Sequence, residues 1–392
     1  MSFQREAQDR EARRFRFPQG ILRRTLILKT VTVNLAKHSY PIYVGEGLIA
    51  NAGALLARCG FDAAPIVVTN NTVLQLHGAA LLRSLHKSFG PTEVIRIGDG
   101  ERFKNHATLL RIYGKLFRAH ADRHSWILAF GGGVVGDIAG FAAATFMRGI
   151  PCVMAPTTLL AQVDSSIGGK VGINVSEGKN LIGAFHQPSA VLSDTGVLRT
   201  LPGRELASGL YEVLKCGAIC SKSLLRYLER RLPQVLNCRP DAMQHIVMSA
   251  ARIKADVVAA DEKENGLRMI LNFGHTIGHA FEAATDYRRF KHGEAVAWGM
   301  IAALAYGRES DLLAPADSER LIRLIRSVGR LPSLNGISIG NVWGALIRDK
   351  KFQAGDIRMV FLRQLGEAEI RTGIDAASLQ GFLKNFLATE GI

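Results

Sequence analysis

The chain has 392 residues, 47% of them hydrophobic and 21% charged, which excludes a largely disordered polypeptide and a small disulfide-stapled scaffold. Forty-nine Lys and Arg residues against 34 Asp and Glu leave a formal net charge of +15, which invites a nucleic acid, an anionic membrane surface or an anionic small molecule as partner. At about 150 residues per domain the length predicts two domains. Residues 1–25 are arginine-rich, with Glu6, Asp9 and Glu11 interspersed; without an apolar segment they read as a poorly ordered basic extension, not a secretory signal. Residues 26–45 alternate β-branched and polar residues and read as strands broken at Lys37-His38-Ser39. Short apolar runs at 65–70, 93–98, 126–131 and 152–158 follow, separated by amphipathic stretches such as Lys104 to Ala119. That alternation predicts a parallel sheet covered by helices on both faces.

After Leu201-Pro202 the texture changes. Leu206–Ala218, Ala242–Ala259, Thr276–Ala284, Glu294–Tyr306 and Asp317–Ser327 read as helices, and strand signals return only near 357–371. The expected architecture is an α/β, Rossmann-like domain over 26–201, followed by a mainly α-helical domain over 202–392. No apolar run reaches the roughly 18 residues of a transmembrane helix. Five scattered cysteines argue against a disulfide framework and for a reducing, cytoplasmic location. Cys216 and Cys220, at i,i+4, read as two buried thiols on one helix face.

The run WILAFGGGVVGDIAGFAAATF reads as strand, turn and helix, with Gly131, Gly133 and Gly136 in G-x-G-x-x-G spacing. Such glycines let backbone N–H groups approach a pyrophosphate at a helix N-terminus, which points to a dinucleotide. The turn follows a late strand, and the acidic residue about 20 positions further on is missing; Asp137 is the nearby acid. Downstream, Asp164, Ser165, Ser166, Gly168, Gly169, Lys170, Lys179 and Asn180 fall in one segment. It reads as a semi-buried phosphate-cradling loop, although the Walker spacing is absent.

The segment LNFGHTIGHAFEAATDYRRFKHGEAVAWGM places His275 and His279 on one helix face, Asn272 one turn before, and His292 just ahead of a helix starting near Glu294. Thr276 stands where a metalloprotease H-E-x-x-H motif has Glu. A catalytic zinc takes three protein ligands and keeps a fourth position open. Glu212, with Lys215 at i+3, is the upstream candidate for a third ligand; spacing alone leaves that role and a surface i,i+3 ion pair equally open.

Together, GGGVVGDIAGFAAATFMRGI, PTTLLAQVDSSIGGKVGIN, EVLK, LNFGHTIGHA, KHGEAVAWGM and DKK, in this order, resemble the 3-dehydroquinate synthase family of sugar-phosphate cyclases, over about residues 30–370. The resemblance implies an NAD-binding first half and a metal- and substrate-binding second half. It implies NAD contacts from Asn70, Glu101, Lys104, Gly131, Gly132, Gly133, Gly136, Asp137, Thr157, Thr158, Lys179 and Thr200. Glu212, His275 and His292 would hold zinc, with cobalt as an alternative. Lys215, His279, Asp164, Glu264 and Asn272 would be catalytic, and Arg148, Lys170, Asn180, Lys254, Arg268 and Lys351 (of the pair Lys350-Lys351) would bind substrate. Arg148 would cross the interface of a homodimer.

The implied substrate is the seven-carbon keto-acid phosphate DAHP, in the shikimate pathway of aromatic amino-acid biosynthesis. Its carboxylate and phosphate call for arginine and lysine. The implied reaction oxidises a hydroxyl transiently with NAD, eliminates phosphate, reduces the ketone back and closes a carbocycle by an aldol step, so NAD is a catalyst. Valiolone-type and 2-deoxy-scyllo-inosose synthases are the near alternatives; Lys254, Arg268, Asn272 and the DKK lysine favour the carboxylate-bearing substrate. A metal-dependent polyol dehydrogenase is the distant alternative. A nucleic-acid or membrane partner is not expected: the known nucleic-acid motifs are absent and aromatics do not interleave with basic runs.

Overall fold

Apolar runs bounded by glycine or polar residues become the strands of a seven-stranded sheet in the computed structural model, which describes residues 28–348 and 357–391. The strands are β1 (Lys29–Val33), β2 (Tyr40–Gly45), β3 (Ile66–Asn70), β4 (Glu93–Ile97), β5 (Ile127–Gly131), β6 (Cys152–Pro156) and β9 (Ala190–Asp194). Their order is β1-β2-β9-β6-β5-β3-β4; β1 pairs antiparallel with β2, and the rest are parallel. β2, β5, β6 and β9 are buried along their whole length, as a sheet covered on both faces requires. Leu56, Leu81, Leu85, Leu128, Phe130, Val153 and Leu192 pack in its core.

The chain runs outward from β3 to β4, then returns to β5 on the other side of β3. That reversal opens a crevice at the carboxyl ends of β3 and β5, the usual ligand position in an open α/β sheet. Asn70 and Gly131 end those two strands. After α1 (Ala52–Arg58) and α2 (Ala79–Phe89), helix α3 (His106–Arg118) starts behind Asn105, whose side chain accepts the Thr108 N–H at 2.9 Å. Lys104 therefore precedes the helix, which the sequence reading began two residues early. Helix α4 (Gly133–Thr145) is apolar nearly all round because it is covered on several sides.

Residues 164–180 are not simply a loop. Lys170–Val175 (β7) and Gly178–Phe185 (β8) form an antiparallel hairpin. Gly172 faces Gly183, where a Cβ on either would stand 2.2–2.6 Å from a backbone oxygen.

Two compact units result. The first comprises the described part of Met1–Leu201 together with Met243–Glu262, and the second Pro202–Ala242 with the described part of Lys263–Ile392. Met243–Glu262, assigned above to the helical half, belongs with the first unit because its side chains are satisfied there: Lys254 bonds Asp164, and Glu262 accepts from Gln187.

The second unit contains α5 (Gly203–Cys220), α6 (Lys222–Leu236), α8 (His275–Ala284), α9 (His292–Glu309), α10 (Pro315–Val328), α11 (Ile339–Arg348) and α12 (Ala376–Glu390), with the hairpin β10 (Met359–Gln364) and β11 (Glu367–Arg371). Helix α7 (Pro240–Ala260) supplies most of the segment assigned to the first unit. Helix α9 is buried along nearly all its length and crosses the start of α8 at Gly299, where a Cβ would lie 1.8 Å from the Gly274 carbonyl oxygen. Gly274 sits at φ +78°, a left-handed conformation that glycine adopts without penalty. No described helix is long and apolar enough to cross a membrane.

Candidate functional site

In the first unit, the crevice end of β5 carries the turn Gly131-Gly132-Gly133 into α4. Gly132 caps α4 without any side-chain bond. A Cβ would meet Thr158 Cγ2 at 3.0 Å from Gly132 and Ser165 Oγ at 3.1 Å from Gly133. The backbone is thus left bare at a helix N-terminus, where N–H groups and the helix dipole favour an anion. Gly136 has more room, with Met154 Sδ at 3.7 Å; the tight approach in α4 is at Gly140, 2.5 Å from Val171 Cγ1, a position the motif does not include. Thr157 donates its N–H to the Gly131 carbonyl, and Thr158 Oγ1 accepts the Ala161 N–H. The Asn70 amide oxygen caps the turn after β3 by accepting the Val73 N–H.

Glu101, Lys104 and Asp137 meet beside this turn. Lys104 is 4% exposed, with Nζ 2.9 Å from Asp137 Oδ2 and 3.1 Å from Glu101 Oε1. Burial opposes the lysine's charge, but the two carboxylates outweigh it and raise its pKa above the ordinary value. Burial likewise opposes ionisation of Glu101, yet Lys104 and the Asn174 hydrogen bond hold its pKa low. Asp137 goes the other way: burial raises its pKa, and Lys104 offsets that only in part. An open depression of about 500 Å³, lined by Glu101, Lys104, His106, Asn174 and Ser176, adjoins the cluster. Asn174 donates to Glu101 Oε1 at 2.7 Å and accepts the Asn180 N–H at 3.0 Å, so it joins the cluster to the start of β8, where Lys179 and Asn180 lie. Thr200 lies further along, bonded to His77 Nε2 at 2.8 Å.

Lys254 is 7% exposed; its ammonium donates to both the carbonyl (2.7 Å) and the carboxylate of Asp164. Lys170 opens β7 as an exposed residue. Arg148 is also exposed, and Met147, Arg148 and Gly149 run at φ +50°, +68° and +118°. Consecutive left-handed non-glycine residues store strain of a kind concentrated at functional sites.

The histidines belong to the second unit. His275 opens α8 and His292 opens α9, two residues earlier than the sequence suggests. Asn272 ends a separate 3-10 turn (Leu267–Asn272) and is not on the His275 helix, because Gly274 breaks the path; its amide donates to Glu264 at 2.9 Å. Arg268, in the same turn, is 2% exposed. Ring nitrogens of His275, His279 and His292 lie within 4.8 Å of one another.

Glu212 is 1% exposed, which overturns the surface-pair reading, although Lys215 does form an ion pair with its Oε2. Its Oε1 faces His275 Nε2 at 3.9 Å and His292 Nε2 at 3.7 Å, and neither carboxylate oxygen has a hydrogen-bond partner of good geometry. The opposite ring nitrogens are anchored: His275 Nδ1 lies 3.3 Å from the Phe273 carbonyl oxygen, and His292 Nδ1 3.3 Å from Glu282 Oε2. Anchored Nδ1 atoms orient Nε2 for a metal, as carboxylate–histidine–metal triads do. Two ligands about 2.1 Å from one tetrahedral zinc stand roughly 3.4 Å apart, close to these separations. The donor set therefore fits a divalent metal.

Glu282 escapes sequence reading because it resembles any acidic helix residue, although its i+7 spacing from His275 puts both on one face. All five cysteines are thiols; Cys216 is buried and Cys220 exposed, so the two do not share a buried face. Lys350 and Lys351 lie outside the described residues.

Family models described as 3-dehydroquinate synthase N-terminal and C-terminal match residues 94–208 and 209–352. A 3-dehydroquinate synthase from Pelotomaculum thermopropionicum is 44% identical over 363 residues, covering 92% of this chain and 96% of that protein. Among solved structures, 2-epi-5-epi-valiolone synthase from Streptomyces hygroscopicus, with NAD+ and Zn2+ bound, has a TM-score of 0.83 at 29% identity, over 91% of this chain and 98% of its own. A 2-deoxy-scyllo-inosose synthase complexed with carbaglucose-6-phosphate, NAD+ and Co2+ also reaches 0.83, at 24% identity over 91% and 99%, and supports the fold.

Proposed function

The chain belongs to the 3-dehydroquinate synthase family, and from that premise we propose that it converts DAHP to 3-dehydroquinate with release of phosphate, using NAD and a divalent metal, zinc or cobalt. The observation that carries the reading is the buried Glu212 carboxylate facing the oriented Nε2 atoms of His275 and His292. When bound, NAD supplies a hydride acceptor that returns what it takes, and the metal a Lewis acid.

The chain's own residues bind and orient. The bare N–H groups at Gly132 and Gly133 receive the pyrophosphate, and Glu101 accepts from ribose hydroxyls while Lys104 keeps it and Asp137 in place. Lys170, Asn180 and the Lys254–Asp164 pair of the first unit supply cations and an amide for the substrate's anionic groups. In the second unit the planar guanidinium of Arg268 suits a carboxylate, Asn272 and Glu264 form a polar pair, and Lys215 and His279 carry protons beside Glu212. Fixed groups of this kind restrict a flexible open-chain intermediate to one pose. A cytoplasmic homodimer, with Arg148 lent across its interface, belongs to the same proposal; the exposed, strained backbone at Met147 and Arg148 supports it.

Phosphate release from DAHP, compared with sedoheptulose 7-phosphate and repeated with a chelator, tests the assignment. The expected result is release from DAHP, abolished by the chelator and leaving no lasting NADH. No release with NAD and metal in excess refutes it; preference for sedoheptulose 7-phosphate moves the chain to the carboxylate-free cyclases.

A further inference from the structure

Arg204, Ser208 and Glu212 are spaced i, i+4, i+8 and share one face of α5. They meet α9 in order. Arg204 donates from Nε and Nη2 to Glu294 Oε1 and Oε2 at 2.5 and 2.7 Å, and from Nη2 to the Arg289 carbonyl at 2.9 Å. Ser208 Oγ accepts the Gly293 N–H at 3.0 Å, and a Cβ on Gly293 would stand 1.9 Å from the Ser208 carbonyl oxygen. One turn further along α5, Glu212 faces His292.

His292 is the first residue of its helix, where intrahelical bonding is least complete and fraying begins. A capping box accounts for part of Glu294, whose Oε2 accepts the Lys291 N–H at 2.7 Å. It does not account for a two-pronged guanidinium on a carboxylate that is 3% exposed. We infer that the Arg204–Glu294 fork and the Ser208–Gly293 contact are a two-rung register device that holds His292 opposite Glu212. Arg204, Ser208 and Glu294 are then positioning residues for the metal, none of them touching it. The inference rests on the reading of Glu212, His275 and His292 as ligands.

The test loads the full chain with Co2+ and measures its visible ligand-field spectrum, its affinity by chelator competition, and the melting of the metal-free protein. Arg204→Met and Glu294→Gln are expected to weaken Co2+ binding about 10- to 100-fold and to alter the spectrum by more than the change in melting explains. Arg204→Lys restores charge without the fork and recovers part of the affinity. Ser208→Ala removes one hydroxyl and carries the test should Arg204→Met fail to fold. Unchanged spectra and affinities in Glu294→Gln and Ser208→Ala overturn the inference. A wild-type chain that binds Co2+ no better than Glu212→Gln instead overturns the metal reading beneath it.

Discussion

Substituting Gly299 by alanine tests the closest helix crossing beside the histidines. The new methyl would stand 1.8 Å from the Gly274 carbonyl oxygen and 2.7 Å from the Gly278 nitrogen. Carbon and oxygen need about 3.3 Å, so α8 and α9 must part by roughly 1.5 Å there. Both obstacles are backbone, and no rotamer absorbs the shift. Alanine regains about 1 kcal/mol of helix propensity, while overpacking costs about 1–3 kcal/mol or more, and a shift of this size belongs at the upper end. The net loss is about 2 kcal/mol. The loss of metal binding is larger in proportion, because ligand positions tolerate only about 0.2 Å, and His275 and His292 begin the two displaced helices. Gly307→Ala, on the same α9, is the control: its Cβ meets Phe361 Cδ1 at 3.7 Å, an ordinary contact, so stability is unchanged or gains up to about 1 kcal/mol. Thermal or urea melts of the metal-free proteins, with zinc affinity by chelator competition, read both effects. Gly299→Ala melting with the wild type, or Gly307→Ala falling as far, refutes the reasoning.

Thiol labelling followed by peptide mass spectrometry should find exposed Cys220 modified first, and Cys152, whose pKa burial pushes up to about 12, modified only on unfolding; equal rates contradict the burial pattern. Glu101 ionises more readily in the fold than at the ordinary value of 4.5, so its stabilising contribution is complete above that pH and is lost as pH falls through the lower folded value. Glu101→Gln should therefore flatten the acid limb of the stability–pH curve below pH 4.5; an unchanged acid limb counts against the cluster.

The buried strands are plain in the sequence because both their faces are covered, so each is a short apolar run between turn residues. β8 is not, since Leu181, Ile182 and Phe185 are exposed and glycine, polar residues and one alanine fill its other positions. The resemblance named Glu212, His275 and His292, and burial made the carboxylate's situation clear. Glu282, Arg204 and Ser208 were invisible for a common reason: each acts through a residue distant in the chain, and locally each looks like an ordinary helix position. Met243–Glu262 reads as one more helix, and nothing in its periodicity says which unit will receive it.

Asn174 bonds Glu101 with one end of its amide and the Asn180 backbone with the other, while its own N–H reaches the Lys104 carbonyl at 2.8 Å. One small side chain is thus shared by the carboxylate cluster and the start of strand β8. Kinetic effects of substitutions at Glu101 and Asn174 will not sum, because each removes the same side-chain hydrogen bond. A double-mutant cycle across the pair reads the stiffness of that bridge, and single-site effects at either end belong partly to its far side.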